Sequence, residues 1–274
     1  ATAQALRAAG VGEGSIVPVI MERSVRLVVG VMGALEAGAA WAAVDPHAPE
    51  ERQVMLLRQM KASAVLVEAG NKAPSSPGSP VRAVSLDESG WPVGPLADEE
   101  PPAKEAESAT STSDRLAMVV FTSGSTGEPK GVLYSHKMLL HGTWFYGRLA
   151  ALEPGHRALL KSPHIWAVIE YELFPPLLFG ATMFIARPNG HKQPAYLAQC
   201  IVKERLNSLM ITPRVLEPVL EEMENKGMAR EATLLKNCIC IGEALRGETA
   251  QRFLGVMKAA APQIHNFYGP SEAS

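Results

Sequence analysis

The run Phe121 to Gly131, FTSGSTGEPKG, sets the hydroxyl residues Thr122, Ser123, Ser125 and Thr126 around Gly124 and Gly127, with Lys130 shortly after. Hydroxyls and bare backbone N–H groups satisfy the oxygens of a polyanion, and glycine lets the backbone wrap closely because no Cβ intervenes. The chemistry this composition suits is phosphate binding. The Walker arrangement G-x-x-x-x-G-K-[ST] is not met, since Pro129 precedes Lys130 and Gly131 follows it. Solvated turns and linkers share this composition. Here, however, the run directly follows RLAMVVF, Arg115 to Phe121, a β-favouring apolar stretch that a linker does not need.

Other candidate chemistry is thinner. Cys238 and Cys240 are two apart in NCICIG and share a face if that run is a strand, but no further Cys or His cluster completes a metal site, so core packing is the expected role. Together with Cys200 they make three cysteines, an odd number that fits a reducing, cytoplasmic compartment. His136, His141 and His164 are read as surface or packing residues.

Elements able to position the loop follow from the patterning. The chain has 274 residues, 47% hydrophobic and 20% charged, which is enough for a large core that divides into two subdomains. A net charge of −2 offers no basic field, which excludes a nucleic-acid partner on electrostatic grounds. The most apolar window, Leu27 to Val44, has Glu36 inside it and reads as a buried helix followed by a strand, with no membrane span. Strand-like runs (IVPVIM, WAAVD, SAVLVEA, LAMVVF, RALLKS, TMFIA, SLMIT, NCICIG, IHNFYG) alternate with helix-like ones, the pattern of an α/β protein with mainly parallel sheets. Pro213 suits a first helical turn. YELFPPLLFGA reads only as an apolar run. Residues 70–113 are rich in Pro, Ser, Gly and Glu, with VRAVSL alone able to make a strand, and are expected to form a mobile surface loop. The start, ATAQALRAAG, carries no methionine or leader and is read as part of something longer.

Five ordered segments carry a family resemblance over essentially the whole chain. LAMVVFTSGSTGEPKGV resembles the phosphate-loop signature of the adenylate-forming (AMP-dependent synthetase and ligase) superfamily, NFYGPSE resembles its N-x-Y-G-P-[TS]-E motif, and IGEAL resembles the turn between them. GALEAGAAWAAVDPHAPEER and SPHIWAVIEYELFPPLLFGA are similar to segments of nonribosomal peptide synthetase adenylation domains. The resemblance implies the N-terminal core of that fold over residues 1–274, two stacked αβ subdomains with mainly parallel sheets, without the C-terminal subdomain. It implies ligation: a carboxylate attacks the α-phosphate of ATP, giving an acyl-adenylate, and a thiol then takes the acyl group. The acceptor is the phosphopantetheine of a carrier protein domain or, alternatively, coenzyme A, as in an acyl-CoA synthetase. A third reading is a non-catalytic nucleotide-binding or scaffold piece.

Roles carried over by the resemblance are as follows. Thr122, Ser123, Gly124, Ser125, Thr126 and Gly127 grip the phosphates, Lys130 supplies a cation, and Glu272 holds Mg²⁺, a hard ion suited to carboxylate oxygen. Thr122, Lys130 and Glu272 form the catalytic set, while Tyr268 stacks on adenine with Asn266, Gly242 and Glu243 around the base. Trp166 lies beside the substrate carboxylate or packs in the core. Ala167 stands where amino-acid-activating domains carry an aspartate that pairs with the substrate's α-ammonium, and Val168, Tyr171, Met210, Ile239, Ile241 and Phe267 fall on the pocket wall. The implied substrate is a carboxylic acid without an α-amino group. Glu170 leaves an alternative open, because its carboxyl could reach the pocket in place of the missing aspartate.

Overall fold

Parallel strands need a crossover between them, and helices supplied by those crossovers cover the sheet on both faces. The computed structural model, which describes residues 1–74, 81–94, 112–122 and 129–269, has two such sheets. By internal packing the chain divides into one unit of Ala1–Leu140 with His164–Ala167 and a second of His141–Pro163 with Val168–Ser274.

In the first unit α1 (Thr2–Ala8) leads to β1 (Ile16–Ile20), α2 (Val25–Glu36), β2 (Ala40–Ala43), α3 (Glu50–Gln59), β3 (Ala64–Glu68), β4 (Arg82–Leu86), β5 (Leu116–Thr122) and β6 (Lys130–Ser135). The sheet order is β4-β3-β1-β2-β5-β6, parallel throughout except that β6 runs antiparallel to β5. Ser24 caps α2 by accepting from the Leu27 N–H at 3.3 Å, and Leu27, Gly30, Val31 and Ala34 then repeat at helical spacing on its buried face. Gly33 is required there, because a Cβ would sit 2.7 Å from Thr2 Cγ2 of α1. Neither α1 nor β6 was foreseen from the sequence. β6 is an edge strand with Leu133 exposed, so it lacks the apolar alternation that marks a half-buried strand. VRAVSL does pair, in parallel register with β3 from Ala64↔Arg82 to Glu68↔Leu86. Residues 75–80 and 95–111 of the expected mobile loop lie outside the described residues.

The second unit begins within α4 (His136–Leu149) and continues through β7 (Arg157–Leu160), α5 (Ile169–Leu178), β8 (Thr182–Ile185), α6 (Pro194–Lys203), β9 (Ser208–Ile211), α7 (Pro213–Asn225), β10 (Asn237–Cys240), α8 (Gly247–Val256) and β11 (Gln263–Asn266). Its sheet is wholly parallel, in the order β11-β10-β9-β7-β8. Pro194 and Pro213 open α6 and α7 at the first turn, where the missing N–H costs nothing. Pro175 and Pro176 lie inside α5, so the apolar run YELFPPLLFGA is a helix. Burial of Ile169, Leu173 and Phe174 offsets a proline cost of roughly 3 kcal/mol.

The two faces of this sheet are separate cores. Leu209, Ile211, Cys238 and Cys240 point into a cluster with Leu197, Ile201, Leu216, Leu220 and Phe253 from α6, α7 and α8. Met210 and Ile239, the alternate residues, point the other way into a cluster with Tyr146, Ala150 and Leu152. The cysteines therefore pack in the helix-facing core, and among the described residues no group of three His, Cys, Asp or Glu could hold a metal ion. No helix among the described residues is long and apolar enough to cross a membrane.

Candidate active site

In the first unit the phosphate-loop candidates sit at the mouth of the β5–β6 hairpin. Thr122 faces Lys130 directly across the pair, with Phe121 opposite Gly131 one step inward. Residues opposed in this way have their Cβ atoms about 4.5–5.5 Å apart on one face. A hydroxyl and an ammonium thus flank the two ends of the segment 123–128. Gln59 on α3 anchors the second end, its Nε2 donating to the Pro129 carbonyl at 2.9 Å. Ser123, Gly124, Ser125, Thr126 and Gly127, and the metal candidate Glu272, lie outside the described residues.

In the second unit the base-binding candidates lie at the carboxyl ends of adjacent parallel strands, where ligands of open α/β sheets bind. Asn266, the last residue of β11, is in register with Cys240, and the next N–H, of Phe267, donates to the Cys240 carbonyl at 2.7 Å. Gly242 turns the chain out of β10 at φ 93°, in the left-handed region open to glycine. The Glu243 carboxylate then accepts from the Arg214 N–H at 2.7 Å, in the first turn of α7. Charge and position agree, because the amino end of a helix favours an anion. Tyr268 is 96% exposed, so its ring is available for stacking. Strand order thus brings together Gly242, Glu243, Asn266 and Tyr268.

Six of the wall candidates come together in the same unit. Met210 and Ile239 are in register on adjacent strands, and Val168, Tyr171, Ile241 and Phe267 pack against their cluster. Tyr146 of α4 is the centre that sequence reasoning missed: its ring lies 5.4 Å from Tyr171 and meets Phe267 edge-on at 6.5 Å. Phe145 stacks on Phe267 at 6.1 Å. The signal available was the run of three adjacent aromatics, Trp144, Phe145 and Tyr146, in HKMLLHGTWFYGRLA. Burial and the Glu172 charge push the Tyr146 phenol up, so it stays neutral, hydrogen-bonded with Ser208. Trp166 and Ala167 belong to the first unit, with Trp166 half exposed. His164 of that segment is buried and bonded to the Val44 backbone, and burial lowers its pKa, so it is a neutral packing histidine.

Two carboxyls are buried at the start of α5 and differ in their partners. Glu172 accepts from the Lys161 and Ser162 N–H groups at 2.8 and 2.6 Å, from Ser162 Oγ at 2.8 Å and from Lys161 Nζ at 3.1 Å. That set ties α5 to the end of β7. Glu170 is 3% exposed and bonded to the Tyr171 hydroxyl, and burial pushes its carboxyl up to about 7.

A family model for AMP-binding enzymes matches residues 1–274. The chain belongs to that family. Among curated relatives, this AMP-binding chain is 34% identical over 279 residues to phosphinothricin tripeptide synthetase PhsB of Streptomyces viridochromogenes, covering 99% of the chain and 22% of PhsB. It is 29% identical to tyrocidine synthase 3 of Brevibacillus parabrevis, covering 99% of the chain and 4% of that protein. It therefore spans a minor part of the curated relatives' length. Of solved structures, the nonribosomal peptide synthetase FmoA3 superposes with a TM-score of 0.80 at 25% identity, covering 98% of the AMP-binding chain and 27% of FmoA3. The N-terminal subdomain of Klebsiella oxytoca NpsA superposes with a TM-score of 0.72 at 20% identity, covering 98% and 64%, a likeness of fold.

Proposed function

We propose that this chain is the N-terminal part of an adenylation domain that activates a carboxylic acid lacking an α-amino group and passes it to a carrier protein's phosphopantetheine thiol. A carboxylate oxygen bonds to the α-phosphorus of ATP as the bond to the bridging oxygen breaks and pyrophosphate leaves. The thiol sulfur then bonds to the acyl carbon as AMP leaves. In the first step the nucleophile is a carboxylate, already ionised at neutral pH, so that step needs no general base; in the second the thiol gives up its proton as its sulfur bonds to the acyl carbon and AMP leaves. The difficulty is bringing one anion onto another, which positioning and preorganised charge overcome. Lys130 and Thr122, opposed at the hairpin mouth, supply a cation and a hydroxyl to the phosphates. Mg²⁺ bound with ATP offsets further phosphate charge, and Glu272 is the proposed ligand for it. Asn266, Gly242, Glu243 and Tyr268 receive the base. An FmoA3 structure holds AMPPNP, which agrees with nucleotide use in the family.

The observation that carries the substrate class is the apolar wall around Tyr146, Tyr171 and Phe267 in the second unit; the sequence adds, through the resemblance, an alanine at position 167 where the family's aspartate would stand. A pocket of this kind discriminates strongly against a substrate that brings an unpaired ammonium. The test is pyrophosphate exchange by the full-length protein on paired acids: a branched aliphatic acid, its 2-hydroxy and 2-keto forms, and the matching α-amino acid. Preference for the first three is expected, and Ala167→Asp should shift activity toward the amino acid. Consistent preference of the unaltered protein for the amino acid would overturn the substrate reading. Release of acyl-CoA from free coenzyme A would overturn the carrier-protein acceptor.

A further inference from the structure

Glu170 and Glu172 are both buried at the start of α5, beside the wall residue Tyr171. Glu172 has two backbone donors, a hydroxyl and the Lys161 ammonium. Glu170, equally buried, is bonded to the Tyr171 hydroxyl, and among the described residues no Lys, Arg or His lies within ion-pair distance of it. A buried carboxylate ordinarily comes with a cation or several donors. Its partner Tyr171 packs on the same cluster as Val168, Met210, Ile239, Ile241 and Phe267. Along the chain, Glu170 is three residues past Ala167, where the resemblance leaves an ammonium without its partner.

We propose that Glu170, presented with Tyr171, is a specificity-determining residue that takes a protonated amine carried by the substrate beyond its α-carbon. The substrate class is then a β-, γ- or more distal amino acid. This rests on the reading above that the domain activates an acid without an α-ammonium, and it names what replaces that group. The apolar wall holds the carbon skeleton, and the missing positive charge is brought by the ligand. A 2-hydroxy or unsubstituted acid of the same length leaves the carboxyl as it is in the free protein and gains nothing from it. An α-amine has no acidic partner at position 167.

The test is pyrophosphate exchange by the full-length protein on five four-carbon acids: butanoate, 2-hydroxybutanoate, and 2-, 3- and 4-aminobutanoate. The expected result is a kcat/KM for 3- or 4-aminobutanoate at least tenfold above that for butanoate, with that ratio falling at least tenfold in Glu170→Gln. Glu170→Asp, with a shorter reach, should move the preference toward the longer amine. Glu170→Met serves if the glutamine variant does not fold, and the same fall in ratio is expected. A preference for butanoate that Glu170→Gln does not move overturns this inference and leaves the proposed function standing. An equal fall on every acid also overturns it, showing a structural role alone. Preference for 2-aminobutanoate in both proteins overturns this inference and the proposed substrate class together.

Discussion

Replacing Glu170 with glutamine should stabilise the protein, and by an amount that grows with pH. Burial raises the folded carboxyl from its ordinary 4.5 to about 7. The folded state therefore keeps a proton that the unfolded chain has released. The carboxyl's contribution is most favourable below the unfolded value and is lost as pH climbs from about 4.5 to about 7. At 1.36 kcal/mol per pH unit, the full cost is about 3 kcal/mol, close to complete at pH 8 and about 1 kcal/mol at pH 5. Glutamine keeps the shape and does not titrate. The difference between variant and unaltered protein should therefore widen by about 2 kcal/mol between pH 5 and pH 8. Of the strands packed on α5, β7 carries Arg157 at its exposed end and β8 no titratable side chain, while the Lys161 ammonium just past β7 is paired with Glu172 in both proteins. Urea unfolding of both proteins at the two pH values, followed by circular dichroism and tryptophan fluorescence, measures it. Other groups titrate alike in both proteins and cancel. An equal difference at the two pH values, or one that shrinks as pH rises, refutes the claim that this carboxyl is buried without its cation.

Further outcomes follow from the same geometry. Thr122→Ala and Lys130→Ala should each weaken ATP·Mg binding, measured by calorimetry, by roughly 1.5–3 kcal/mol, the worth of a hydrogen bond to a charged group; unchanged affinity in a folded variant refutes the cradle. Glu172→Leu removes the acceptor shared by two backbone N–H groups, the Ser162 hydroxyl and the Lys161 ammonium, and should cost about 3–5 kcal/mol in urea unfolding; a loss under about 1 kcal/mol refutes its role in tying α5 to β7. Gly242→Ala, forced into the left-handed region, should lose roughly 1–2 kcal/mol of stability and lower nucleotide affinity through the displaced Glu243 turn.

How far each feature was legible depended on the physical range of the interaction that makes it. Strands such as NCICIG announce themselves because their alternation is local, and the pairing of Cys238 with Cys240 on one face followed directly. That the opposite residues, Ile239 and Ile241, meet Tyr171 and Phe267 came only through resemblance, because that contact needs the register of three strands and the start of a helix. β6 was hidden by its edge position, where no buried face imposes a pattern. The double proline concealed α5, since the packing that overrides it comes from residues distant in sequence. The contrast between Glu170 and Glu172 was invisible for a similar reason: two glutamates in one turn look alike until Lys161 and Ser162, from the end of another strand, choose one of them.

The segment His164–Ala167 packs with the first unit while the residues on either side of it belong to the second. The chain therefore crosses from one unit to the other three times within 28 positions, and neither unit is a contiguous piece of sequence. An exchange of specificity between related proteins has to respect this. A graft cut at 141 carries Val168, Tyr171 and Glu170 together with a four-residue strap whose seat, the Val44 backbone under His164, stays behind in the recipient. Swaps bounded at 163 and 168, or swaps that move the β2 end along with the strap, keep the anchor and its seat from the same parent.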